Sequence, residues 1–503
     1  MPSLVAEQSP AELGRAVALF AAAFSVAYYA VGRPIYYLFF HPLRQYPGPK
    51  LWAISQIPLA LSNTSGNHHK DILALHKKFG DIVRVSPTEL SFVQPEAWKA
   101  VQGHRRNGQT ENGKDWRVYG RIPDAIISAP RETHGHIRRV VSHGFSAKRM
   151  VEQQPLIAKH IDLFFDRMRA RASQGEAVDI VAWYNYTTFD IIGDLAFGEP
   201  FGCLEQSGMH HWVATIFQRL REGNALISLR KIFGDIDSLL MTLYPPGLRL
   251  TLEHEGFARA KVDKRLAAGT QRPDFIDSMA NRPKGDSLTK KQITQTADVL
   301  ILAGSETTAT VLSFVTHLLC KHPAIMAKVR AEVDDHFTRE ADIDFTSVQA
   351  LKYMLAVLDE TMRLFPAVPS ALARTVPAEG TQLFGTYIPG GVALGIHQWP
   401  AYHYPGNFAK PDEFCPERWL GDPEFANDHR EIFQPFSHGP RDCIGKNLAY
   451  AEMRTILARM LFNFDMALEN RSREWLADLK TFQLWDKPAM YVKLTPRQRG
   501  AEA

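Results

Sequence analysis

The sequence predicts a mainly α protein with a minor β part, and three observations support this fold class. Residues 289–320 are apolar at helical spacing and end just before Pro323, which is typical of a long buried helix. Residues 346–365 form a second predicted helix that is closed by a proline. Strand-like segments are few, and residues 80–86 with 89–93 indicate one small hairpin.

Length and composition indicate a globular, largely intracellular chain. The chain has 503 residues and a net charge of +4, an excess too small to indicate a nucleic-acid partner. Its four cysteines lack disulfide-framework spacing and so favour a reducing compartment. No internal repeat or low-complexity segment divides the chain, and the segment after residue 389, rich in Pro, Gly and aromatic residues, is interpreted as a long ordered loop.

The N-terminal segment is apolar enough to cross a bilayer. Residues 16–31 are apolar apart from Ser25 and two tyrosine hydroxyls, and the apolar character resumes over 35–40. Basic residues follow this segment, so the positive-inside rule leaves the bulk of the chain in the cytosol. A cleaved signal peptide is the alternative, and it fits poorly because the basic charges lie on the wrong flank.

These observations divide the chain into three parts. We expect residues 1–40 to form a membrane anchor and residues 41–50, with three prolines and a glycine, to form a stiff hinge. Residues 51–503 would then be one catalytic domain.

The most informative motif lies near the C-terminus, where residues 436–445 contain Phe436, Gly439, Arg441, Cys443 and Gly445 in the pattern F-x-x-G-x-R-x-C-x-G. The helical sequence that follows would place the cysteine at a helix N-terminus, where free N–H groups and the helix dipole favour a thiolate. The glycines permit tight turns. A buried structural cysteine in a glycine-rich turn is the alternative for an isolated cysteine.

A second motif is a charge pair on the helix predicted over 346–365. Glu360 and Arg363 stand three residues apart on one helix face, and Arg418 follows downstream in Pro-Glu-Arg-Trp. Taken alone, an E-x-x-R pair is a common surface salt bridge.

A third motif, Ala-Gly-Ser-Glu-Thr-Thr at residues 303–308, interrupts the long apolar helix with Glu306, Thr307 and a glycine. Taken alone it indicates a helix kink with satisfied side chains. A fourth feature is His134 and Arg138, which share a helix face at i, i+4 and could equally belong to a solvated basic surface.

Together these motifs resemble those of the cytochromes P450, and the resemblance covers nearly the whole chain. Residues 436–454 are especially similar to fungal secondary-metabolism enzymes such as the isotrichodermin hydroxylases. Residues 41–49 and 76–87 resemble fungal membrane-bound members of the family.

The resemblance implies the cytochrome P450 fold, with haem b between the long distal helix and the helix after the cysteine loop. It makes Cys443 the axial thiolate ligand of the haem iron, in the loop that contains Phe436 and Gly439. It implies a structural triad of Glu360, Arg363 and Arg418. It also implies that Thr307 hydrogen-bonds dioxygen while Glu306 relays protons through water. The implied partners of the haem propionates are Arg441, His134, Arg138 and Arg374.

The implied activity is a monooxygenase that inserts one atom of O2 into an apolar small molecule, a terpenoid or polyketide of fungal secondary metabolism, by hydroxylation or epoxidation. Electrons would come from NADPH through a P450 reductase, with cytochrome b5 as a further candidate partner, because the chain has no flavin or nicotinamide fingerprint. Arg139, Lys148, Arg149 and Lys446 are either a docking face for that reductase or ordinary solvated charges. The expected location is the endoplasmic reticulum membrane, with the catalytic domain facing the cytosol.

Two alternative functions remain open at this point. A haem-thiolate isomerase, dehydratase or peroxide-using enzyme needs no reductase, and the intact Glu306-Thr307 pair counts against it. A non-catalytic haem sensor or carrier is the other alternative, and the oxygen groove implied by the same motif counts against that one.

Overall fold

The structure is a computed structural model. It describes residues 10–105, 109–120, 122–236, 239, 242, 245–269, 272–280 and 287–498.

The N-terminal segment is one continuous helix. Helix α1 (Pro10–Ala27) runs on through the π-helical turns Tyr28–Gly32 and Tyr36–Phe40, with a short α-helical turn between them. Over Gly14–Phe40 this helix is apolar and none of it is buried in the protein. An apolar helix of this length that buries nothing is a candidate membrane anchor.

The proline-rich segment after this helix packs against the rest of the chain. Leu43 in the 3-10 turn Pro42–Gln45 is completely buried. The carbonyl of Pro47 accepts a hydrogen bond from the backbone N–H of Arg84 at 2.8 Å. A Cβ on Gly48 would lie 2.3 Å from the Arg84 carbonyl oxygen, so only glycine allows this approach. The guanidinium of Arg84 in turn donates to the carbonyl of Tyr37 in the anchor at 2.9 Å.

Helices make up most of the remaining chain. Those before the long central helix are α2 (Lys50–Ile54), α3 (Ile57–Ser65), α4 (His68–Phe79), α5 (Trp116–Tyr119), α6 (Arg131–Ser142), α7 (Ala147–Ser173), α8 (Ile180–Phe197), α9 (Cys203–Gln206), α10 (His211–Phe233), α11 (Pro245–Ala267) and α12 (Phe275–Ala280). The central helix and those after it are α13 (Lys290–Lys321), α14 (Pro323–His336), α15 (Lys352–Leu364), α16 (Gln398–Tyr402) and α17 (Lys446–Asn463).

The strands are short and form small sheets beside the helices. They are β1 (Ile82–Ser86), β2 (Glu89–Phe92), β3 (Gly113–Lys114), β4 (Ala177–Asp179), β5 (Arg374–Thr375), β6 (Thr381–Leu383), β7 (Thr386–Ile388), β8 (Ala393–Ile396), β9 (Phe464–Leu468), β10 (Lys480–Phe482), β11 (Leu484–Asp486) and β12 (Tyr491–Pro496). The largest sheet has the order β1-β2-β8-β5-β3, and β2 and β8 pair in parallel. A three-stranded sheet has the order β4-β12-β9, and β6-β7 and β10-β11 are separate hairpins. The mainly α class with a minor β part is confirmed.

Helix α13 is the centre of the core. Thr289 caps its first turn, and the Thr289 backbone N–H donates to Gln292 Oε1 at 2.9 Å, which completes a capping box. The helix packs along α8, and a Cβ on Gly304 would lie 2.6 Å from the Ile192 side chain. Gly304 therefore permits close helix packing, and α-helical structure continues unbroken through residues 303–308.

Two local predictions need correction. The helix predicted over 346–365 is shorter, because the Asp344 carboxylate accepts the N–H groups of Thr346 and Ser347 and holds the chain in a turn before α15 begins. The segment after residue 389 contains strand β8, an interior strand of the largest sheet, where the sequence indicated only loop.

Candidate active site

The cysteine loop folds back on itself before helix α17. The backbone N–H of Cys443 donates to the carbonyl of Phe436 at 2.8 Å, which closes the loop. Gly439 has φ +84°, and a Cβ there would lie 2.1 Å from the Gln102 carbonyl oxygen, so the loop requires glycine at this position. Gly445 is the N-cap of α17, and the Phe436 ring packs 5.1 Å from the ring of Tyr450 on the same helix.

The Cys443 thiol is accessible at the protein surface of this loop. The protein packed around it nevertheless raises the pKa of the Cys443 thiol. The N–H of Gly445 and the charges of Arg138 and Lys446 act in the opposite direction without offsetting that effect. A bound metal cation would act in the same direction as these groups and stabilise a thiolate at Cys443.

Two basic side chains lie opposite each other across two short strands near this loop. Lys114 on β3 stands directly opposite Arg374 on β5 in an antiparallel register. Like charges directly opposite one another destabilise a sheet, and burial together with the charge of Arg374 lowers the pKa of Lys114 well below its usual range. Arg374 is 3% exposed, and its Nε and Nη1 atoms have no hydrogen-bond partner among the residues that the structure describes. Burial, and then the charge of Arg441, lower the pKa of Arg374 to about 10.

Three other predicted site residues surround this pair. Arg441 donates to Glu111 at 2.6 Å and to the carbonyl of Ala129 at 2.8 Å. Arg138 donates to the backbone carbonyl of Asp442 at 2.6 Å and pairs with its carboxylate. His134 is buried; its burial and the charges of four neighbouring cations, led by Arg441, lower its pKa to about 3. The basic side chains in this region thus outnumber the acidic side chains beside them.

The charge pair on α15 is part of a buried network. Arg363 donates to both oxygens of Glu360, at 2.8 Å and 2.9 Å, and both side chains are completely buried. Arg418 is also completely buried and its Nε lies 3.3 Å from Glu360 Oε2, too poorly aligned for a hydrogen bond. Arg418 instead donates to the carboxylate of Asp428 and to the carbonyl of Ala409. The structure therefore makes this a charge-balanced group of four, and the sequence did not indicate Asp428.

Helix α13 has an accessible face at residues 303–308. Ala303 is exposed and Thr307 half-buried, so this face of an otherwise buried helix is accessible. The Thr307 hydroxyl donates to the Ala303 carbonyl at 2.6 Å, one turn back.

Glu306 points to a different, buried side of the helix. Successive residues project about 100° apart around a helix, so Glu306 and Thr307 do not share a face. The Glu306 carboxylate pairs with Lys487 and accepts from Thr310 at 3.3 Å, while its Oε2 has no partner in the described part of the chain. Burial raises the pKa of Glu306, and Lys487 acts to lower it.

A buried acid on helix α17 escaped the sequence analysis. Glu452 is 3% exposed and hydrogen-bonded to Thr308 of α13, so it joins the two helices. Its burial raises its pKa from 4.5 to about 8. Within the helix an isolated glutamate is an ordinary helix former, and no sequence pattern distinguished it from a surface residue.

Comparison with known proteins agrees with this architecture. The cytochrome P450 family model matches residues 46–493. The cytochrome P450 monooxygenase astA of Talaromyces wortmannii is 43% identical over 92% of this chain and 94% of its own length. The trichothecene C-15 hydroxylase of Fusarium sporotrichioides is 43% identical over 93% of this chain and 96% of its own length. The averantin hydroxylase of Dothistroma septosporum is 42% identical over 92% of this chain and 88% of its own length.

The chain therefore belongs to the cytochrome P450 family. The predicted enzyme class, a P450 monooxygenase, is confirmed, as is the predicted resemblance to fungal enzymes of secondary metabolism. Membership of the family implies haem.

The residues present fit a haem. The exposed Cys443 can bind a metal through its sulfur, and the unpartnered donors of the buried Arg374 can bind an anion. The two carboxylates of a haem would supply that anion, because arginine and lysine bind carboxylates well.

Proposed function

We propose that this protein is a membrane-anchored haem-thiolate monooxygenase that hydroxylates or epoxidises an apolar terpenoid or polyketide in fungal secondary metabolism. The single observation that carries the proposal is the buried Arg374, whose Nε and Nη1 atoms have no hydrogen-bond partner in the described residues, while Glu111 acts on it only through its charge. It belongs to the same charge cluster as Arg441 of the Cys443 loop.

Each predicted residue has a role in this proposal. Cys443 would hold the iron of haem b, and the loop glycine Gly439 lets the backbone turn beneath it. The carboxylates of the haem would be held by Arg374, Arg441, Arg138 and His134, with Lys114 added to the set. When bound, the haem supplies the activation of dioxygen that no protein side chain can provide.

The network of Glu360, Arg363 and Arg418, completed by Asp428, would be structural. All four charges are buried and balanced, and breaking such a network costs several kcal/mol. Its function would be to fix α15 against the segment that leads to the cysteine loop.

The accessible face of α13 would meet dioxygen and the substrate. Thr307 carries a hydroxyl that can turn from the Ala303 carbonyl to a ligand, and Ala303 and Leu302 give that face an apolar surface. Glu306 would take protons from solvent and pass them toward Thr307. An apolar site supplies no protons of its own, so a hydroxyl and a carboxylate are needed.

Electrons would come from NADPH through a P450 reductase, with cytochrome b5 as a further candidate partner. Lys148 and Lys446 are exposed and could meet an acidic partner, whereas Arg149 already pairs with Glu152 and Asp277. We place the protein in the endoplasmic reticulum membrane, with residues 1–40 as the anchor, 41–50 as the connecting segment and 51–503 as the catalytic domain in the cytosol.

The carbon-monoxide difference spectrum of the reduced, full-length protein in microsomes tests the haem assignment. Thiolate ligation gives a strongly red-shifted Soret band. We expect this band in the wild type and in Cys320→Ala, and its loss in Cys443→Ala. A thiolate band that survives in Cys443→Ala would overturn the assignment of the axial ligand.

Turnover with NADPH and a reductase tests the activity. A panel of terpenoids and polyketides that includes averantin and a trichothecene should yield a product heavier by one oxygen atom. Turnover with peroxide but not with NADPH and reductase would refute the reductase-dependent function in favour of the peroxide-using alternative.

A further inference from the structure

Tyr450 on helix α17 lies between the cysteine loop and helix α15. The centre of its ring is 5.1 Å from the centre of the Phe436 ring, and the Phe436 carbonyl accepts the backbone N–H of Cys443. The Tyr450 hydroxyl donates to Asp359 Oδ1 on α15 at 2.7 Å. One phenol therefore contacts both the loop of the proposed iron ligand and a carboxylate.

The hydrogen bond to Asp359 gives the Tyr450 phenol a proton acceptor. A phenol that loses an electron becomes a strong acid, so its oxidation requires a base within hydrogen-bond distance. Burial raises the pKa of Asp359 to about 6, which leaves the carboxylate ionised above about pH 7. The other charges that act on Asp359 are Arg454 and Lys446 on α17, which favour its ionised form, and Glu360 on its own helix, which opposes it.

Arg454 disfavours oxidation of the ring without loss of the proton. Its guanidinium carbon lies 5.3 Å from the centre of the Tyr450 ring. A ring that lost only an electron would carry a positive charge and would be repelled by this guanidinium. Electron loss from Tyr450 is therefore coupled to transfer of its proton to Asp359.

A second tyrosine has the same kind of acceptor but a different neighbour. Tyr353 at the start of α15 donates to the carboxylate of Glu417 at 2.9 Å. Its ring lies 5.8 Å from the Lys328 ammonium of α14. Tyr353 and Tyr450 thus share a carboxylate acceptor, and a comparison of the two isolates the effect of the contact with the cysteine loop.

We propose that Tyr450 is a redox-active residue that donates an electron to the haem when peroxide has oxidised the haem and no substrate is bound. This inference rests on the proposed function, because it takes Cys443 as the iron ligand. In this step the Tyr450 O–H bond breaks: the electron passes to the oxidised haem past Phe436, and the proton passes to Asp359. The products are a neutral tyrosyl radical and a protonated Asp359. An electron from a soluble reductant such as ascorbate, together with the same proton, restores Tyr450.

The test uses full-length holoenzyme, mixed with hydrogen peroxide in the absence of substrate and frozen within milliseconds. Electron paramagnetic resonance of the wild type should show a tyrosyl radical, whose signal narrows when the protein contains ring-deuterated tyrosine. Tyr450→Phe should lose most of this signal, and its haem should bleach at least twofold faster. Tyr353→Phe is the matched control and should behave as wild type. Both variants should keep the thiolate spectrum.

The role of the proton acceptor is tested separately. Asp359→Asn can accept the hydrogen bond from Tyr450 but cannot take its proton, so the radical yield should be low at every pH. In the wild type the yield should fall as the pH drops below about 6, because Asp359 then already carries a proton. A wild-type radical yield in Asp359→Asn would contradict the coupled proton transfer.

The outcomes separate this inference from the proposed function. An undiminished tyrosyl signal in Tyr450→Phe, an equal loss in Tyr353→Phe, or no tyrosyl signal in the wild type would overturn the inference while the thiolate spectrum stands. Loss of the thiolate spectrum in the wild type would overturn the proposed function itself. If Tyr450→Phe does not fold, 3-fluorotyrosine placed at position 450 keeps the hydroxyl and should add fluorine hyperfine coupling to the radical signal. Absence of that coupling would place the radical elsewhere and refute the assignment.

Discussion

Glu452 should make the stability of this protein depend on pH in a direction opposite to that of a salt-bridged acid. Its carboxyl group is buried between α17 and α13 with Thr308 as its hydrogen-bond partner, and its pKa rises from 4.5 to about 8. A raised pKa means that the folded state binds the proton more tightly than the unfolded state does. The resulting stabilisation is complete below pH 4.5 and is lost as the pH rises through about 8.

The magnitude follows from the size of the shift. One pKa unit corresponds to about 1.4 kcal/mol, so roughly 3 to 4 kcal/mol of unfolding free energy should be lost between about pH 5 and about pH 8. For a chain of 503 residues the unfolding entropy is about 1 kcal/mol per kelvin. The loss therefore corresponds to a fall of about 3 to 4 °C in the unfolding midpoint.

Glu452→Gln removes the titration while keeping the shape and a hydrogen bond to Thr308. Thermal unfolding of the holoenzyme in detergent, followed by circular dichroism at pH 5 and pH 8, should show a midpoint that falls less in this variant than in wild type. Glu474→Gln changes an exposed glutamate and should follow the wild type. Parallel curves for wild type and Glu452→Gln would refute a protonated Glu452 in the folded protein.

Two further predictions concern the buried charges. Asp428→Asn leaves the completely buried Arg418 without its carboxylate and should cost about 3 to 5 kcal/mol of unfolding free energy. The control Asp422→Asn changes a half-buried aspartate whose capping hydrogen bond asparagine can keep, and it should cost under about 0.5 kcal/mol. Equal denaturant midpoints for the two variants would contradict this. Arg374→Leu removes the unpartnered buried guanidinium and should weaken haem retention at least tenfold, measured as transfer of haem to apomyoglobin, and Arg374→Lys should recover part of that loss. Unchanged haem transfer in Arg374→Leu would show that its donors do not hold the cofactor.

The structural features that depend on local sequence pattern were the ones predicted best. The long helix was predicted over 289–320 and is found at Lys290–Lys321, because Thr289 is a strong cap and the apolar spacing is continuous. The cysteine loop could be predicted because the backbone requires glycine at position 439, where a Cβ would lie 2.1 Å from the Gln102 carbonyl oxygen.

The features that could not be predicted from the sequence depend on contacts between residues far apart in the chain. Lys487 lies 181 residues from Glu306, and no local signal links them. Strand β8 was not predicted because it pairs with β2, about three hundred residues away in the chain. A strand this short has little sequence pattern of its own. The family resemblance implies Glu360 as the partner of Arg418. The shorter contact of Arg418 is with Asp428, which lies in an irregular segment without a sequence pattern of its own.

The hydrogen bond from Arg84 to Tyr37 links the apolar N-terminal helix to the rest of the chain. The carbonyl of Tyr37 and the backbone of Pro47 are both hydrogen-bonded to Arg84, so the last turn of the anchor and the first strand of the domain are fastened to one residue. In the membrane-anchored arrangement proposed above, tilting of residues 14–40 in the bilayer would therefore tilt the rest of the chain with them. A thicker or thinner membrane would thus change the angle at which the catalytic domain faces its neighbours in the plane of the membrane.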